Sequence, residues 1–298
     1  MSIGLRIDVD TFRGARDGIP KLLRILKKRD IQATWYLTLG PDNMGRHLRR
    51  LLKPKFAWKM LRSGAPSLYG WDIVLRGTLW PGPVISRTLA ATLRMPDQAG
   101  HEVGVHAWDH HKWQVGIDML PEAVLDAELA RANEAFTELF ARPPETAASP
   151  GWRCSERVLG LASSKSYRYR SDCRGQGPAF RPLVHGAPID QPQVPVDLPT
   201  FDEGIPGSDG TDDGWNRALL ARIADEQPHV LTIHAESEGG AKAGLFEEFL
   251  DRALSDGHLF EPLRDWISRH GVAGNAPIAK GTVAGREGWV ATVSKRVR

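Results

Sequence analysis

Apolar positions along the chain gather into short β-type runs, with longer amphipathic stretches between them. Ile3 to Val9 is the first run and Gln32 to Leu39 the second, and the segment between them, Ile19 to Lys28, carries its apolar residues at helical spacing. That pattern predicts a strand, helix, strand unit. Further strand candidates are Glu102 to His106, Glu145 to Ala148, Tyr167 to Ser171, Val194 to Leu198 and His229 to His234, seven in all. Strands alternating with helices imply an α/β fold with parallel strands and crossover helices. Seven of them favour a closed or nearly closed barrel over an open doubly wound sheet. In such barrels the reactive groups sit at the carboxyl ends of the strands, and Asp8, Asp10, His106 and His234 all fall at or just past predicted strand ends.

Two stretches break the alternation. Residues 41–83 are far longer than the few residues that usually join a strand to a helix, which predicts an insertion with its own purpose. Its part from Arg46 to Arg62 holds Arg46, Arg49, Arg50, Lys53, Lys55, Lys59 and Arg62 without an acidic residue, interleaved with Leu48, Leu51, Leu52, Phe56, Trp58, Met60 and Leu61. The second is the Gly- and Ala-rich tail after His270, expected to be a loosely ordered or appended segment. The expected organisation is one barrel over residues 1–268, with an extension over 269–298. A chain of 298 residues fits that plan, because barrels of this kind routinely use about 250 residues as one domain.

Composition adds little to this picture. With 41% hydrophobic and 25% charged residues and a net charge of +3, the chain resembles ordinary globular proteins. The N-terminus has no apolar core of a secretory signal and no stretch is apolar enough to span a membrane, so a cytoplasmic protein is expected. Cys154 and Cys173 are then expected to be reduced thiols.

The sharpest chemical signal is GHEVGVHAWDHH, residues 100–111. His106 and His110, four apart, would share one face of a helical turn and could reach one ion, while His111 would point elsewhere. Two histidines are a good partial ligand set for zinc or a similar divalent metal, which usually wants a third protein ligand. RIDVDT, residues 6–11, supplies one: Asp8 and Asp10 are two apart at a strand end and share a face. One carboxylate can ligate while the other takes a proton from water, the division of labour of metal-assisted hydrolysis. His234 in LTIHAE, residues 231–236, can hold the proton that a departing amine requires. Each piece alone admits a plainer role, as a surface histidine pair, a helix-capping aspartate or a core histidine. Their joint occurrence favours the metal site.

In its acid pair, its HxxxH and its late LxH, taken in that order, the chain resembles the polysaccharide deacetylase family of carbohydrate esterases over most of residues 1–268. The resemblance implies a distorted (β/α)7 barrel with Asp8 as catalytic base, Asp10, His106 and His110 as metal ligands, and His234 as general acid. The family's usual TFDDG opening stands here as IDVDT, and its Arg-Pro-Tyr segment as SPGWRCS. Arg153 is the candidate for the arginine that positions the base in the family, and Asp172 for the carboxylate that orients the acid histidine. Glu236, Asp202 and Glu203 are candidates for binding sugar hydroxyls, or are solvated loop carboxylates. The metal is divalent, with zinc, manganese, cobalt and nickel all compatible with the ligands.

RIDVDT, GPDNMGRHL, WKMLRS, SLYGWD, SDCRG, LPTFDE and TIHAE are together similar to one subgroup of the family. Its members deformylate a 4-formamido sugar carried on undecaprenyl phosphate, in bacterial lipid A modification and polymyxin resistance. This implies a polyprenyl-phosphate-linked sugar as substrate, and peripheral binding at the cytoplasmic face of the inner membrane. The basic insertion, with Trp58, Trp71 and Trp80, agrees with an anionic membrane surface as partner rather than nucleic acid. A deacetylase of a soluble or cell-envelope oligosaccharide would keep the same five central residues without needing the insertion. A catalytically inactive membrane-surface adaptor would bind liposomes without metal or formate release.

Overall fold

The computed structural model describes residues 2–46, 82–204, 209–225 and 227–293. Its centre is a parallel sheet in which β1 (Ser2–Val9) lies between β2 (Thr34–Thr38) and β7 (His229–His234). Beyond β2 follow β3 (Glu102–Ala107), β4 (Thr146–Ala147) and β5 (Tyr169–Arg170). A short strand not anticipated from the sequence, β8 (Leu259–Glu261), pairs with the start of β1. Helices α1 (Ile19–Lys27), α2 (Ala90–Gln98), α3 (His110–Gly116), α4 (Glu122–Phe140), α5 (Glu156–Ser163), α6 (Asp212–Ile223) and α7 (Ala243–Ser255) fill the crossovers.

All eight residues of β1 are buried, so both faces of the strand are covered, as expected of a parallel sheet under helices. Ile3, Leu5, Ile7 and Val9 join the apolar layer under the helices. Ser2, Gly4, Arg6 and Asp8 alternate onto the opposite, inner face. Helix α8 (Leu263–His270) packs Leu263 and Trp266 against Gly4, where a Cβ would come within 2.8 Å of Leu263. Above that floor the interior is polar and hydrogen-bonded. Thr34 and Tyr169 donate to Glu102 at 2.5 and 2.6 Å, and the Tyr36 and Thr146 hydroxyls lie 2.8 Å apart.

The sixth expected strand, Val194 to Leu198, is irregular, but it lies where the barrel would close. Arg170 N–H donates to Pro192 O at 2.8 Å and Val194 N–H to Arg170 O at 2.8 Å, while Leu198 N–H donates to Val230 O at 3.3 Å. Pro192 and Pro195 bring no N–H, so a regular ladder is not available to this segment. Side chains supplement it: Asp197 accepts from Val230 N–H at 2.8 Å and lies 2.5 Å from His229 Nδ1, whose Nε2 is 2.8 Å from Asp225.

The tail departs from expectation. Through residue 293 it is ordered and built into the fold: β9 (Val272–Ala276) pairs with β6 (Ala179–Val184), and β10 (Ile278–Gly281) pairs with β11 (Val290–Val293). Val290 and Ala291 are fully buried, and Arg174 N–H donates to Ala291 O at 2.8 Å. Glycines gave this tail its loose look, yet Gly285 and Gly288 have φ of +81° and +80° and serve a tight turn.

Burial works to lower the pKa of His229, but Asp197 and Asp225 outweigh it and hold the value above the ordinary 6.5. The stabilisation from this charged clasp is therefore complete below about pH 6.5 and is lost as pH rises through the raised value. His229→Gln is expected to cost about 1 kcal/mol at pH 6 and less at high pH. Urea denaturation across that range checks it, and a pH-independent cost would show that the clasp contributes no charge.

Candidate active site

Asp8, Asp10, His106, His110 and His234 converge at the carboxyl end of the barrel, and each is fixed by a different local cause. Arg6 and Asp8 are two apart on the inner face of β1. The guanidinium donates Nε to Asp8 Oδ1 and Nη2 to Oδ2, both at 2.7 Å, and Nη1 to Ser171 O at 2.5 Å. Arg6 also stacks over Tyr36 and Trp152 at 5.0 and 5.2 Å. Asp8 is 2% exposed. Burial alone would raise its pKa, but Arg6, with His106, more than offsets this and keeps the carboxylate below its ordinary value.

Asp10 lies just past β1, where the chain turns. Its backbone N–H, the N–H of Thr11 and the Thr11 hydroxyl all donate to Glu236 Oε1, at 3.1, 2.8 and 2.8 Å. A Cβ at residue 14 would sit 1.9 Å from that oxygen, so Gly14 is what lets Glu236 in. Burial, then the charge of Asp10, pushes the Glu236 carboxyl up to about 7. Glu236 thus shapes the loop that aims Asp10, and is not turned outward toward a sugar hydroxyl.

The Asp10 carboxylate lies 3.2 Å from His106 Nε2 and 3.3 Å from His110 Nε2. One ligand atom from each of the three falls within 4.8 Å of the others, and His111 is not part of the group. His106 Nδ1 is 2.8 Å from Ala148 O, which directs Nε2 to the cluster. Asp10 Oδ1 and His110 Nδ1 are buried without a hydrogen-bond partner among the described residues. Two imidazoles and a carboxylate converging with such an orphaned oxygen fit a divalent cation. The two histidines do not share a helical turn as the spacing suggested. His106 belongs to β3 and His110 opens α3, whose start is capped by Asp109 accepting from Lys112 N–H at 2.9 Å. The turn between strand and helix, not an i,i+4 helical face, brings them together.

His234 ends β7 in register with Asp8. Its backbone N–H donates to Glu238 at 2.9 Å. Burial would lower its pKa, but Asp10, Asp202, Asp8 and Glu238 together push it up to about 9. Asp202, whose side chain accepts from the Thr200 hydroxyl at 2.6 Å, is held below its ordinary value because His234 and Arg286 outweigh burial.

The other expected residues lie elsewhere. Asp172 does not meet His234: it accepts from Arg170 at 2.6 and 2.9 Å, from Ser149 N–H at 2.7 Å and from Gln193 at 3.0 Å, a buried pair that braces β5. The carboxylates that act on His234 are instead Asp10, Asp202, Asp8 and Glu238. Arg153 does not hold Asp8: its guanidinium lies over Trp289 at 4.8 Å. Gly151 and Trp152 both have positive φ, 57° and 53°, and this kink turns Trp152 into the barrel. Arg6 holds Asp8 instead, and its sequence signal was a charge two residues before Asp8 in an otherwise apolar strand. Glu203 accepts from Arg174 at 2.7 and 2.9 Å and from Arg286 at 3.3 Å, which commits it to the tail.

The insertion leaves and rejoins the barrel beside the site. Asp42 accepts from Phe12 N–H at 3.0 Å, Asn43 donates to Asp109 at 2.6 Å, and Pro41 bridges to Val84. Of the expected membrane-surface residues only Arg46 is described; Arg49, Arg50, Lys53, Lys55, Trp58, Lys59 and Arg62 lie outside the described residues.

Removing Arg6 would leave Asp8 as an unpaired buried charge. Arg6→Met is therefore expected to destabilise by roughly 3–5 kcal/mol, with part of the loss recovered in the double variant carrying Asp8→Asn. Equal stability of the single and double variants in chemical denaturation would show that the pair is not coupled.

The polysaccharide deacetylase family model matches residues 3–170. A protein of Shewanella sediminis (strain HAW-EB3) that carries the name 4-deoxy-4-formamido-L-arabinose-phosphoundecaprenol deformylase is 45% identical over 290 residues, covering 97% of this chain and 93% of its own length. A protein of Wigglesworthia glossinidia brevipalpis with the same name is 38% identical over 290 residues, covering 96% of this chain and all of its own. Among solved structures, a polysaccharide deacetylase from Mycobacterium smegmatis superimposes with a TM-score of 0.62 at 16% identity, covering 90% of this chain and 89% of that one, a likeness of fold. With the barrel, the clustered acid pair and histidines, and these matches in agreement, the chain belongs to the polysaccharide deacetylase family.

Proposed function

We propose that this protein hydrolyses the N-formyl group of 4-deoxy-4-formamido-L-arabinose carried on undecaprenyl phosphate. The products are formate and the 4-amino sugar lipid used in lipid A modification and polymyxin resistance. One observation carries the reaction class: the Asp10 carboxylate and two imidazoles converge on a site that fits a divalent cation, with Asp8 3.8 Å from His106 and His234 in register with Asp8 on the neighbouring strand. Identity of 45% over 97% of the chain to a relative named for this deformylation carries the substrate.

Asp10, His106 and His110 would hold the divalent cation, which when bound supplies a Lewis acid for the formyl oxygen and lowers the pKa of water. Asp8 accepts the proton of the attacking water. Arg6 occupies one edge of each Asp8 oxygen and so fixes the carboxylate for that transfer. Water's oxygen bonds to the formyl carbon, the carbon–nitrogen bond breaks, and protonated His234 gives its proton to the departing sugar nitrogen. Asp202 is one of the carboxylates that favour that imidazolium charge. The polyprenyl anchor places the substrate at a bilayer surface. The basic segment from Arg46 to Arg62 supports approach to an anionic membrane from the cytoplasmic side, at about 1 kcal/mol for each cation near the surface.

The wild-type protein with its metal is expected to release formate from the formamido sugar lipid and to act far more slowly on the matched acetamido compound. Asp8→Asn should lose activity by a factor of about 10³ or more while retaining bound metal by elemental analysis, and His110→Ala should lose the metal. Full activity in Asp8→Asn would remove it as the base. Activity should fall at alkaline pH as His234 loses its proton. Asp202→Asn withdraws a negative charge that favours the imidazolium, so that limb should move to lower pH, on the order of half a unit. An unmoved limb in the pH–rate profile would disconnect Asp202 from the acid.

A further inference from the structure

The tail brings a turn, Gly285 to Gly288, into the wall of the site. A Cβ on Gly285 would sit 1.7 Å from Glu203 O, next in the chain to Asp202, and one on Gly288 would sit 2.4 Å from an Arg153 nitrogen. The turn is thus wedged between the loop bearing Asp202 and the kinked segment bearing Trp152. Arg286 is carried between the two glycines. Its guanidinium lies 4.8 Å over the Trp152 ring, the same ring that receives Arg6 at 5.2 Å and Arg174 at 4.6 Å.

Three guanidinium groups around one indole need compensation. Arg6 has both oxygens of Asp8, and Arg174 has both oxygens of Glu203 at 2.7 and 2.9 Å. Among the described residues, Arg286 makes one long side-chain hydrogen bond, at 3.3 Å, to a Glu203 oxygen that Arg174 already holds, and beyond that acts on the Asp202 carboxylate only through its charge. Its side chain is 13% exposed, so it is not sealed in the core. A guanidinium stacked on an aromatic ring, with free donors and its nearest carboxylate saturated, is an anion receptor, and its planar fork suits phosphate oxygens. Gly151 contributes the space: its φ is +57°, and a Cβ there would lie 2.8 Å from Arg286 Nη2.

We propose that Arg286, held by the Gly285–Gly288 turn, binds the phosphate of the lipid-linked substrate and is a specificity determinant of this enzyme. The proposal rests on the deformylase reading, in which a formamide at one end of a pyranose ring implies a phosphate at the other. The tail then serves to extend the deacylating site with a cation that recognises a glycosyl phosphate.

The test compares two formamido sugars, one carrying a prenyl phosphate and one a neutral alkyl glycoside, on the metal-loaded full-length enzyme. In Arg286→Met the ratio of kcat/KM for the phosphate-linked over the neutral substrate is expected to fall about tenfold or more, mainly through KM, with Arg286→Lys intermediate. Geranyl phosphate, titrated calorimetrically, should bind Arg286→Met about tenfold more weakly than wild type. Equal losses on both substrates would mean that the residue acts through the fold. No change, or weaker adsorption to phosphatidylglycerol vesicles with an unchanged ratio, would equally overturn the proposal. If the wild type releases formate from neither substrate, the deformylase reading fails, while geranyl phosphate binding still decides whether Arg286 holds a phosphate.

Discussion

The site depends on placing two carboxylates, Asp8 and Asp10, two residues apart at the mouth of the barrel without letting them neutralise each other's function. Like charges in a low-dielectric setting drive one group to take up a proton unless each has its own partner. Here each has one. Arg6 rises from the same strand to grip Asp8 on both oxygens, and His106 and His110 converge on Asp10. The first arrangement keeps a carboxylate ionised without a cation at the reaction centre. The second leaves a carboxylate oxygen and two imidazole nitrogens directed at one point. Asp8 and Asp10 are thus given different partners although they are neighbours in the chain.

That pair also ties the chemistry to the fold. Arg6 reaches Ser171 O beside β5 and the rings of Tyr36 and Trp152, so the base is aimed by groups from four parts of the chain. Trp152 in turn carries Arg174 and Arg286, through which the tail enters the site wall. The irregular segment after Pro192 closes the ring with a few backbone hydrogen bonds and the His229 clasp, because its prolines forbid a full ladder. The regular strands position the chemistry, while irregular chain sets how the site is walled.

The strands and the core residues of the site were legible in the sequence because both follow from local rules. Apolar runs fixed β1, β2, β3 and β7, and strand alternation put Asp8 on the inner face. The two histidines belonged together, although through a strand, a turn and a helix start rather than a helical turn. Arg153 and Asp172 were misassigned because their neighbours in sequence could not show where a kink with two positive φ values would send the chain. Asp172 meets Arg170 in an ion pair that spacing alone would equally permit in an active site.

The sequence by itself determined which groups could do the chemistry, since ligand type, acidity and strand position are properties of a residue and its near neighbours. The tertiary structure decided which arginine holds Asp8, which carboxylates surround His234, and that a glycine-rich tail packs into the fold beside Glu203 and Arg153. Those assignments depend on contacts between residues far apart in the chain, as where Arg6 and Arg286 each meet the Trp152 ring. No local pattern encodes which of several like-charged side chains closes such a contact.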